Sequence, residues 1–543
     1  MAIVTVLVGF LTTVWLAPQV AAWVTFGHSA PLGFWRAQTM FIHLISGDAA
    51  PTGAYPPVLA AAISAHARFG VVLALVVACE VSLVVGALLR LDRTTSRPMA
   101  DRRWWDLRGI RPRAFARPHT IDELLVSAAD PMRIVVGRYD QALLAVEANL
   151  QTLVVAAPRT GKTSGLVIPA ILEHAGPVIN TTVRTDVRDR TIARRSKLGR
   201  VFVWDPFGKA TDGWDLLHGC EDWSHALRCA RWLTSAENLG DGGNTAYFKL
   251  EAEQLLAPLL HAAALWPMKP FKTMRDVYNW VQTRAEDEPM QILHMAQAED
   301  AIRRFQSVYA YNDRQRDGII GAAAAVLQAY GNPAVERTLT AKSMLTPAKL
   351  FAPGQTNTLY IVADREHQKL LAPLVVTLIS TLLHYVAAQE NDKRPLQPPC
   401  LCALDETANI APLEDLPEIL ATSLPSMRFM TVWHSVAQIQ RRYTDQGASE
   451  LLALSQAKVF LGSITDRATV DEVTRLMANR SQDPLSTEER ASQSLQRTSD
   501  REGLLIHTHK PPVVFRQRRY YLDADLKQLS TSEPVERRLN PLA

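Results

Sequence analysis

The amino-acid sequence predicts an α/β fold that carries a phosphate-binding loop, an all-α insertion and an N-terminal transmembrane hairpin. A strand-like run, a loop and a helix-like segment follow one another around Gly161-Lys162-Thr163, the context in which such a loop binds phosphate. Between residues 216 and 346, Trp, Leu and Ala recur at three- and four-residue spacings, as is typical of helices. The first 35 residues contain no Asp, Glu, Lys or Arg, which is typical of a membrane segment.

The loop follows the pattern G-x-x-x-x-G-K-[ST], although Ala156 stands at its first position, where Gly is usual. In such loops, backbone N–H groups and a helix N-terminus converge on the β-phosphate of ATP, while the Lys reaches the β- and γ-phosphates. We therefore assign Lys162 to the phosphates, and the hydroxyl of Thr163 to Mg²⁺. A chance Gly-Lys-Thr turn is the alternative. The predicted nucleotide-binding residues are Ala157, Pro158, Arg159, Thr160, Gly161, Lys162, Thr163 and Ser164.

A second apolar run, residues 398–404, follows a Pro-rich break and ends in Asp405-Glu406. Such a run is typical of a buried parallel strand. An acidic pair at the carboxyl end of a central strand lies beside the phosphate loop of a doubly wound sheet. We predict that Asp405 holds the Mg²⁺ shell and that Glu406 polarises the attacking water as general base. The alternative is a solvated helix start, where acidic residues are favoured.

Length and composition limit the classes of protein to which the chain can belong, but they do not identify its function. The chain of 543 residues is long enough for several domains. Its net charge of +4 is too small for a whole-molecule field that would attract nucleic acid, so such a signal must be local. The five cysteines form no C-x-x-C pair and show no His partner at zinc-binding spacing. Cys400 and Cys402 share one strand face, which indicates core packing in a reducing compartment.

Two apolar segments, residues 3–26 and 69–89, are long enough to span a bilayer, and only Glu80 interrupts the second. Residues 90–117 contain nine Arg against three Asp, whereas residues 27–68 contain only two Arg and one Asp. The positive-inside rule therefore predicts a multi-pass protein of the inner (cytoplasmic) membrane with the bulk of the chain in the cytoplasm. A secretory signal is the alternative, but its basic n-region is missing.

The predicted domains are a transmembrane hairpin with a short external loop at residues 1–90, a basic juxtamembrane linker at 91–117, a nucleotide-binding domain formed by 118–215 and 347–543, and an all-α domain at 216–346. Residues 237–245 predict a mobile loop and residues 481–501 a polar linker. Further strand patterns lie at residues 133–137, 177–183, 200–204, 358–362, 429–433, 459–461 and 512–516.

Together these features resemble the type IV secretion coupling proteins, the TraG/TraD family of conjugative DNA-transfer ATPases. The resemblance is carried by the order of hairpin, phosphate loop, helical insertion and acidic strand end, and by the motif Asp405-Glu406-x-x-Asn409-x-x-Pro412-Leu413. Residues 182–191, 203–207, 433–438 and 458–466 also resemble segments of that family. The resemblance implies a RecA-like motor domain with an all-α domain on its cytoplasmic face. It further implies a homohexamer that binds DNA and recruits a relaxase–DNA substrate to a type IV secretion channel.

The resemblance also implies roles for single residues. Gln438 would be the sensor that touches the γ-phosphate or the attacking water, with a Gln that caps a helix start as the alternative. Arg428 would be the arginine finger, whereas Arg441 and Arg442 are expected to be solvated. The family's central channel favours a basic helix at residues 188–197 as a surface for non-specific DNA binding, and a solvated helix face is the alternative. Its predicted DNA contacts are Arg194, Arg195 and Lys197.

Two other classes of function remain open. A membrane-tethered double-stranded DNA translocase of the FtsK kind would be expected to carry a C-terminal winged-helix DNA reader, and the 41 residues that follow residue 502 are too few for one. A non-enzymatic membrane scaffold with a vestigial nucleotide site is the other class. The joint presence of Lys162, Thr163, Asp405 and Glu406 argues against such a scaffold.

Overall fold

The computed structural model describes residues 116–531, apart from Asn149, residues 237–242, Ser423, Ser463 and residues 479–500, and places four isolated residues nearer the N-terminus. Most of the predicted hairpin, nearly all of the basic linker and most of the polar linker therefore lie outside the described residues. Within the described part, one helix, Gln368–Asn391, is long and apolar enough to cross a membrane. Because 78% of its most apolar window is buried inside the protein, it is typical of a core helix.

The described strands are short, and most of their residues are buried. In chain order they are β1 (Leu125–Val126), β2 (Val135–Tyr139), β3 (Ala142–Ala145), β4 (Thr152–Ala156), β5 (Val178–Thr182), β6 (Val201–Trp204), β7 (Gly213–Trp214), β8 (Met344–Leu345), β9 (Thr358–Val362), β10 (Cys400–Leu404), β11 (Met427–Trp433), β12 (Ala457–Leu461), β13 (Glu502–His507) and β14 (Val513–Arg516).

The helices fall into two groups: those that alternate with the strands of the α/β part, and those of one long helical stretch. In chain order they are α1 (Ile168–Glu173), α2 (Asp186–Leu198), α3 (Trp223–Ser235), α4 (Gly243–Leu265), α5 (Met274–Thr283), α6 (Asp287–Met295), α7 (Glu299–Tyr309), α8 (Asp313–Leu327), α9 (Pro333–Leu339), α10 (Pro347–Leu350), α11 (Gln368–Asn391), α12 (Thr407–Ile410), α13 (Leu416–Ala421), α14 (Val436–Leu454), α15 (Arg467–Ala478) and α16 (Ala524–Thr531).

Twelve of the described strands form one mixed sheet in the order β1-β3-β2-β14-β13-β12-β4-β11-β10-β5-β9-β6. The half from β12 to β6 is parallel, whereas β13, β14, β2, β3 and β1 add an antiparallel half. All five residues of β4 and of β10 are buried, as expected for central parallel strands covered by helices on both faces. The prediction of an α/β fold built on a parallel sheet is therefore confirmed.

The helices α3 to α9 all lie between β7 and β8 in the chain. These two short strands pair in parallel, with Gly213 opposite Met344 and Trp214 opposite Leu345. The pair therefore closes the base of the helical stretch.

In the antiparallel half of the sheet, β2 and β14 match predicted strand patterns, whereas β1, β3 and β13 were not predicted. Strand β13 forms five pairs with β12, from Leu461 opposite Gly503 to Ala457 opposite His507. Its sequence, Glu-Gly-Leu-Leu-Ile-His, places a charged residue and a Gly at its start, next to a polar segment, so it does not show a clear strand pattern. Tertiary pairing with β12 and β14 stabilises it instead.

Candidate functional site

The loop that follows β4 has the backbone that phosphate loops need. It runs into a π-helical turn, Thr163–Val167, and then into α1. Gly161 lies at φ +93°, in the left-handed region that favours glycine, and a Cβ there would approach Gln517 Oε1 to 2.6 Å. Ala156, which replaces the usual Gly, is the buried last residue of β4 and has no positive φ, so its methyl group is accommodated.

Three strands bring distant segments to one edge of the sheet. Strand β11 lies between β4 and β10, and all three are parallel. Trp433 pairs with Val155, and Leu404 pairs with Thr431, so the strands end close together. The residues that follow their carboxyl ends therefore meet beside the phosphate loop.

Lys162, Glu406 and His434 contact one another at this edge. Lys162 Nζ donates to Glu406 Oε1 at 2.5 Å and lies 3.2 Å from His434 Nδ1. His434 Nε2 lies 2.7 Å from Glu406 Oε2. Lys162 is only 9% exposed, so these contacts form in a largely dehydrated site where charge interactions are strong.

Glu406 is held in an unusual conformation. Its φ of 60° and ψ of 47° are left-handed, which costs about 1 kcal/mol or more for a residue with a side chain. Asn409 Nδ2 adds a third donor, 3.2 Å from Oε2. Burial alone would raise the pKa of Glu406, but hydrogen bonds from His434 and Lys162 outweigh it and lower the pKa to about 2. The carboxylate is therefore ionised at neutral pH.

Asp405 and Thr163 form the second part of the site. Thr163 Oγ1 donates to Asp405 Oδ2 at 3.0 Å, and Asp405 is 4% exposed. Burial raises the pKa of Asp405 to about 6, although the nearby Lys162 opposes this. Among the described residues Asp405 Oδ1 has no hydrogen-bond partner, which is costly for a buried carboxylate oxygen. A hard cation with oxygen ligands, such as Mg²⁺, fits a free carboxylate oxygen beside a hydroxyl.

Gln438 lies one helical turn from this cluster and caps a helix start. Ser435 is the N-cap of α14, and its hydroxyl accepts from the Gln438 N–H at 3.2 Å. The side chain of Gln438 reaches back, and its Oε1 accepts from the His434 N–H at 2.8 Å. This contact fits the capping alternative and positions the backbone of His434, and the sensor role of Gln438 stays a prediction.

Two features of the site were not predicted. His434 follows a buried strand directly, and only the position of β11 next to β4 shows that it must face Lys162. The segment after β14 crosses the phosphate loop: Gln517 Nε2 donates to the Thr160 carbonyl at 3.1 Å, and the Tyr520 N–H donates to the Ser164 carbonyl at 3.0 Å. No local motif signals either contact.

The structure places Arg428, the expected arginine finger, within the parallel sheet. Arg428 is the second residue of β11 and is 5% exposed. It lies five residues before the carboxyl end of that strand, about 17 Å away at about 3.3 Å per residue. Its role as arginine finger stays a prediction. Arg442 is not solvated either, because it donates to the carbonyl oxygens of Ser235, at 3.1 Å, and Pro412.

The predicted DNA contacts on α2 differ in exposure. Lys197 is exposed and Arg194 is half-buried, whereas Arg195 is completely buried. The Arg195 guanidinium donates to the carbonyl oxygens of His174 and Gly176 and to Thr358 Oγ1, each at 2.7 Å. Because these bonds use its donors inside the core, the assignment of Arg195 to DNA is corrected.

The structure brings one histidine close to two of the cysteines. Cys220 lies just before α3, His225 and Cys229 lie on it, and the ligand atoms of all three lie within 4.8 Å of one another. The spacing C-x4-H-x3-C departs from the common zinc patterns, so the sequence alone did not reveal it. Cys400 and Cys402 are buried in β10, as expected.

Comparison with known proteins identifies the family. Residues 117–538 match the family model described as "Type IV secretory system Conjugative DNA transfer". No curated protein sequence matches significantly. The bacterial conjugative coupling protein TrwBdeltaN70, in its unbound monoclinic form, is similar in fold, with a TM-score of 0.57, 15% identity, and coverage of 74% of this chain and 93% of that chain.

Two nucleotide complexes of the plasmid coupling protein TrwB are also similar in fold. The complex with ADP and Mg²⁺ has a TM-score of 0.57 and 16% identity, over 75% of this chain and 94% of that chain. The complex with the non-hydrolysable ATP analogue ADPNP has a TM-score of 0.52 and 17% identity, over 68% and 85%. The structural similarity shows the fold, and the family model matches most of the sequence. The chain therefore belongs to the type IV secretory system conjugative DNA-transfer family.

Proposed function

We propose that this protein is a membrane-anchored P-loop ATPase that recruits a relaxase–DNA substrate and drives its transfer to a type IV secretion channel. The observation that carries the proposal is the meeting of Lys162, Thr163, Asp405, Glu406 and His434 at one edge of the parallel sheet. Family membership supports the transfer function. The TrwB complexes with ADP, Mg²⁺ and an ATP analogue support the choice of ligand.

In this proposal the loop residues 157–164 surround the phosphates and Lys162 Nζ binds them. Thr163 Oγ1 and the unpaired Asp405 Oδ1 hold Mg²⁺, directly or through its water. When bound, the metal ion neutralises charge that develops on the phosphate oxygens. The Thr163–Asp405 hydrogen bond keeps the two oxygen ligands together.

Glu406 orients the attacking water and accepts its proton. Hydrogen bonds from His434 and Lys162 hold the pKa of Glu406 at about 2, too low for an efficient base at neutral pH. Transfer of Lys162 from Glu406 to the phosphates removes one of these bonds and makes the carboxylate more basic. His434 then remains as the partner that fixes Glu406, and Gln438 fixes His434.

The membrane anchor, the domain organisation and the oligomeric state are proposed from the sequence. We propose that residues 1–90 anchor the chain in the inner membrane by two passes, that residues 91–117 link them to the motor, and that the bulk of the chain is cytoplasmic. The motor domain comprises residues 118–215 and 347–543, and residues 216–346 form the all-α domain. The motor acts as a homohexamer, and exposed basic residues such as Lys197 contribute to non-specific DNA binding.

The test is a comparison of Lys162→Ala with Lys197→Ala in the full-length protein, purified in detergent. Lys162→Ala should lose ATP turnover and weaken binding of a non-hydrolysable ATP analogue, because the removed ammonium group binds the phosphates. Lys197 is exposed, so its variant should keep both activities and serves as the control for the loss of one positive charge. The melting temperature of both variants should remain close to that of the wild type. Unchanged turnover in Lys162→Ala would refute the assignment of the loop.

A further inference from the structure

A cluster of two thiols and one imidazole lies outside the nucleotide site. Cys220 and Cys229 are both fully buried, His225 is half-buried, and one ligand atom from each lies within 4.8 Å of the other two. No comparable group of three His, Cys, Asp or Glu side chains occurs elsewhere in the described part of the chain. The cluster contains no carboxylate, so its donor set is sulfur and nitrogen.

The local backbone explains why these side chains converge. Asp222 is the N-cap of α3 and accepts from the N–H groups of Ser224 and His225. His225 and Cys229 are four residues apart on that helix and therefore share one face. Gly219 has a φ of +92°, and a Cβ there would lie 3.2 Å from His225 Cδ2. This glycine turns the chain so that Cys220 closely approaches the first turn of the helix.

The surroundings hold the cluster in place. His261 Nδ1 lies 2.8 Å from the carbonyl oxygen of Cys220, and the Cys220 thiol donates to the Leu216 carbonyl at 3.4 Å. These two contacts fix the turn at Cys220 beside the first turn of α3.

We propose that Cys220, His225 and Cys229 bind one Zn²⁺ ion, with water at the fourth position. Thiolate and imidazole are the ligands that zinc prefers in proteins. With bonds of about 2.3 Å to sulfur and about 2.0 Å to nitrogen, a tetrahedral zinc ion places its ligand atoms about 3.5–4 Å apart. Ligand atoms already within 4.8 Å reach that spacing by small side-chain adjustments.

The position of the cluster indicates what the ion would do. Helix α3 packs against α4 of the helical stretch and against the core helix α11. The ring of His384 on α11 lies 6.2 Å from the ring of His225, centroid to centroid. A metal ion that joins the turn at Cys220 to the first two turns of α3 therefore rigidifies the junction between the helical stretch and the α/β core.

The experiment uses the full-length protein, purified in detergent under reducing conditions, stripped with a chelator and titrated with Zn²⁺ alone. The wild type should retain one zinc per chain after gel filtration, measured by elemental analysis. Substitution with Co²⁺ should give the thiolate charge-transfer band and the strong visible bands of tetrahedral cobalt. Zinc binding should raise the melting temperature.

Two variants and one control decide the outcome. Cys229→Ser and His225→Ala should each weaken zinc affinity more than about 100-fold, since even the loss of a partner outside the ligand set costs about 10–100-fold. Cys402→Ala also removes a buried thiol, but one outside the cluster, and should bind zinc like the wild type. If Cys229→Ser does not fold, His225→Ala still tests the zinc site, because the side chain that it removes is only half-buried.

Three results would overturn the proposal: a wild type that retains no zinc, equal zinc affinity in wild type and His225→Ala, or a disulfide between Cys220 and Cys229 in protein isolated without reductant. The last result would identify the pair as a redox couple. None of these readouts depends on ATP turnover, so failure of the zinc site is distinct from failure of the proposed ATPase.

Discussion

Replacing Arg195 with alanine should destabilise the protein and leave its affinity for DNA unchanged. The guanidinium is completely buried and donates to three oxygen atoms at 2.7 Å, which connects α2 to the segment after α1 and to the start of β9. Burial lowers the pKa of Arg195 to about 10, so the group is still charged at neutral pH. Its removal leaves the His174 and Gly176 carbonyl groups without these partners.

The magnitude follows from those three bonds. A hydrogen bond from a charged donor contributes about 1.5–3 kcal/mol, and the cost of burying the charge offsets part of the sum. We expect the free energy of unfolding to fall by about 4 kcal/mol. With an unfolding entropy of about 2.1 cal/mol/K per residue over the described part of the chain, the melting temperature falls by about 5 °C.

The assay combines calorimetry with DNA binding at several salt concentrations. Arg194→Ala and Lys197→Ala are the matched controls on the same helix, and each should change the free energy of unfolding by less than about 0.5 kcal/mol. Together these two substitutions should lower the slope of log affinity against log salt by about 1–2, since each phosphate contact contributes close to one unit. If Arg195→Ala melts like the wild type and lowers that slope, the buried position of its guanidinium is wrong.

Two further predictions concern pH and the geometry of the site. Burial lowers the pKa of His174 to about 4, so the unfolded chain takes up this proton first as the pH falls. Stability should therefore decrease by at most about 3 kcal/mol between pH 6.5 and pH 4, and His174→Gln should remove this part of the pH dependence of the melting temperature. Gln438→Ala should slow ATP turnover about tenfold or more with little change in binding of an ATP analogue, because His434 loses the side chain that fixes its N–H. An equal loss of binding would instead place Gln438 directly on the nucleotide.

Much of the parallel sheet was predictable because its signals are local. Strand β4, the loop and the helix after it form one continuous stretch, and β10 is a buried apolar run that ends in the acidic pair. Both patterns arise from burial on two faces of a parallel sheet. The order of the strands did not need to be known to place Lys162 and Asp405 at the same edge.

The remaining contacts of the site depend on pairings between segments that are distant in the chain. His434 reaches Lys162 because β11 pairs with β4, although the two residues lie 272 positions apart in the chain. Gln517 reaches Thr160 only because β13 and β14 fold back beside β12. Arg195 stands among exposed basic residues in the sequence, and only its place on the inner face of α2 shows that it is buried. Composition and periodicity carry no information on these contacts.

The most direct test of the central claim is the turnover of Glu406→Gln. The amide keeps the size of the side chain but cannot accept the proton of the attacking water. The variant should bind an ATP analogue and Mg²⁺ with nearly wild-type affinity and hydrolyse ATP about 100-fold more slowly or worse. Glu418→Gln, an exposed position on α13, is the matched control and should hydrolyse ATP at the wild-type rate. Wild-type turnover in Glu406→Gln would contradict the account, because the carboxylate that contacts both Lys162 and His434 would then have no role in hydrolysis.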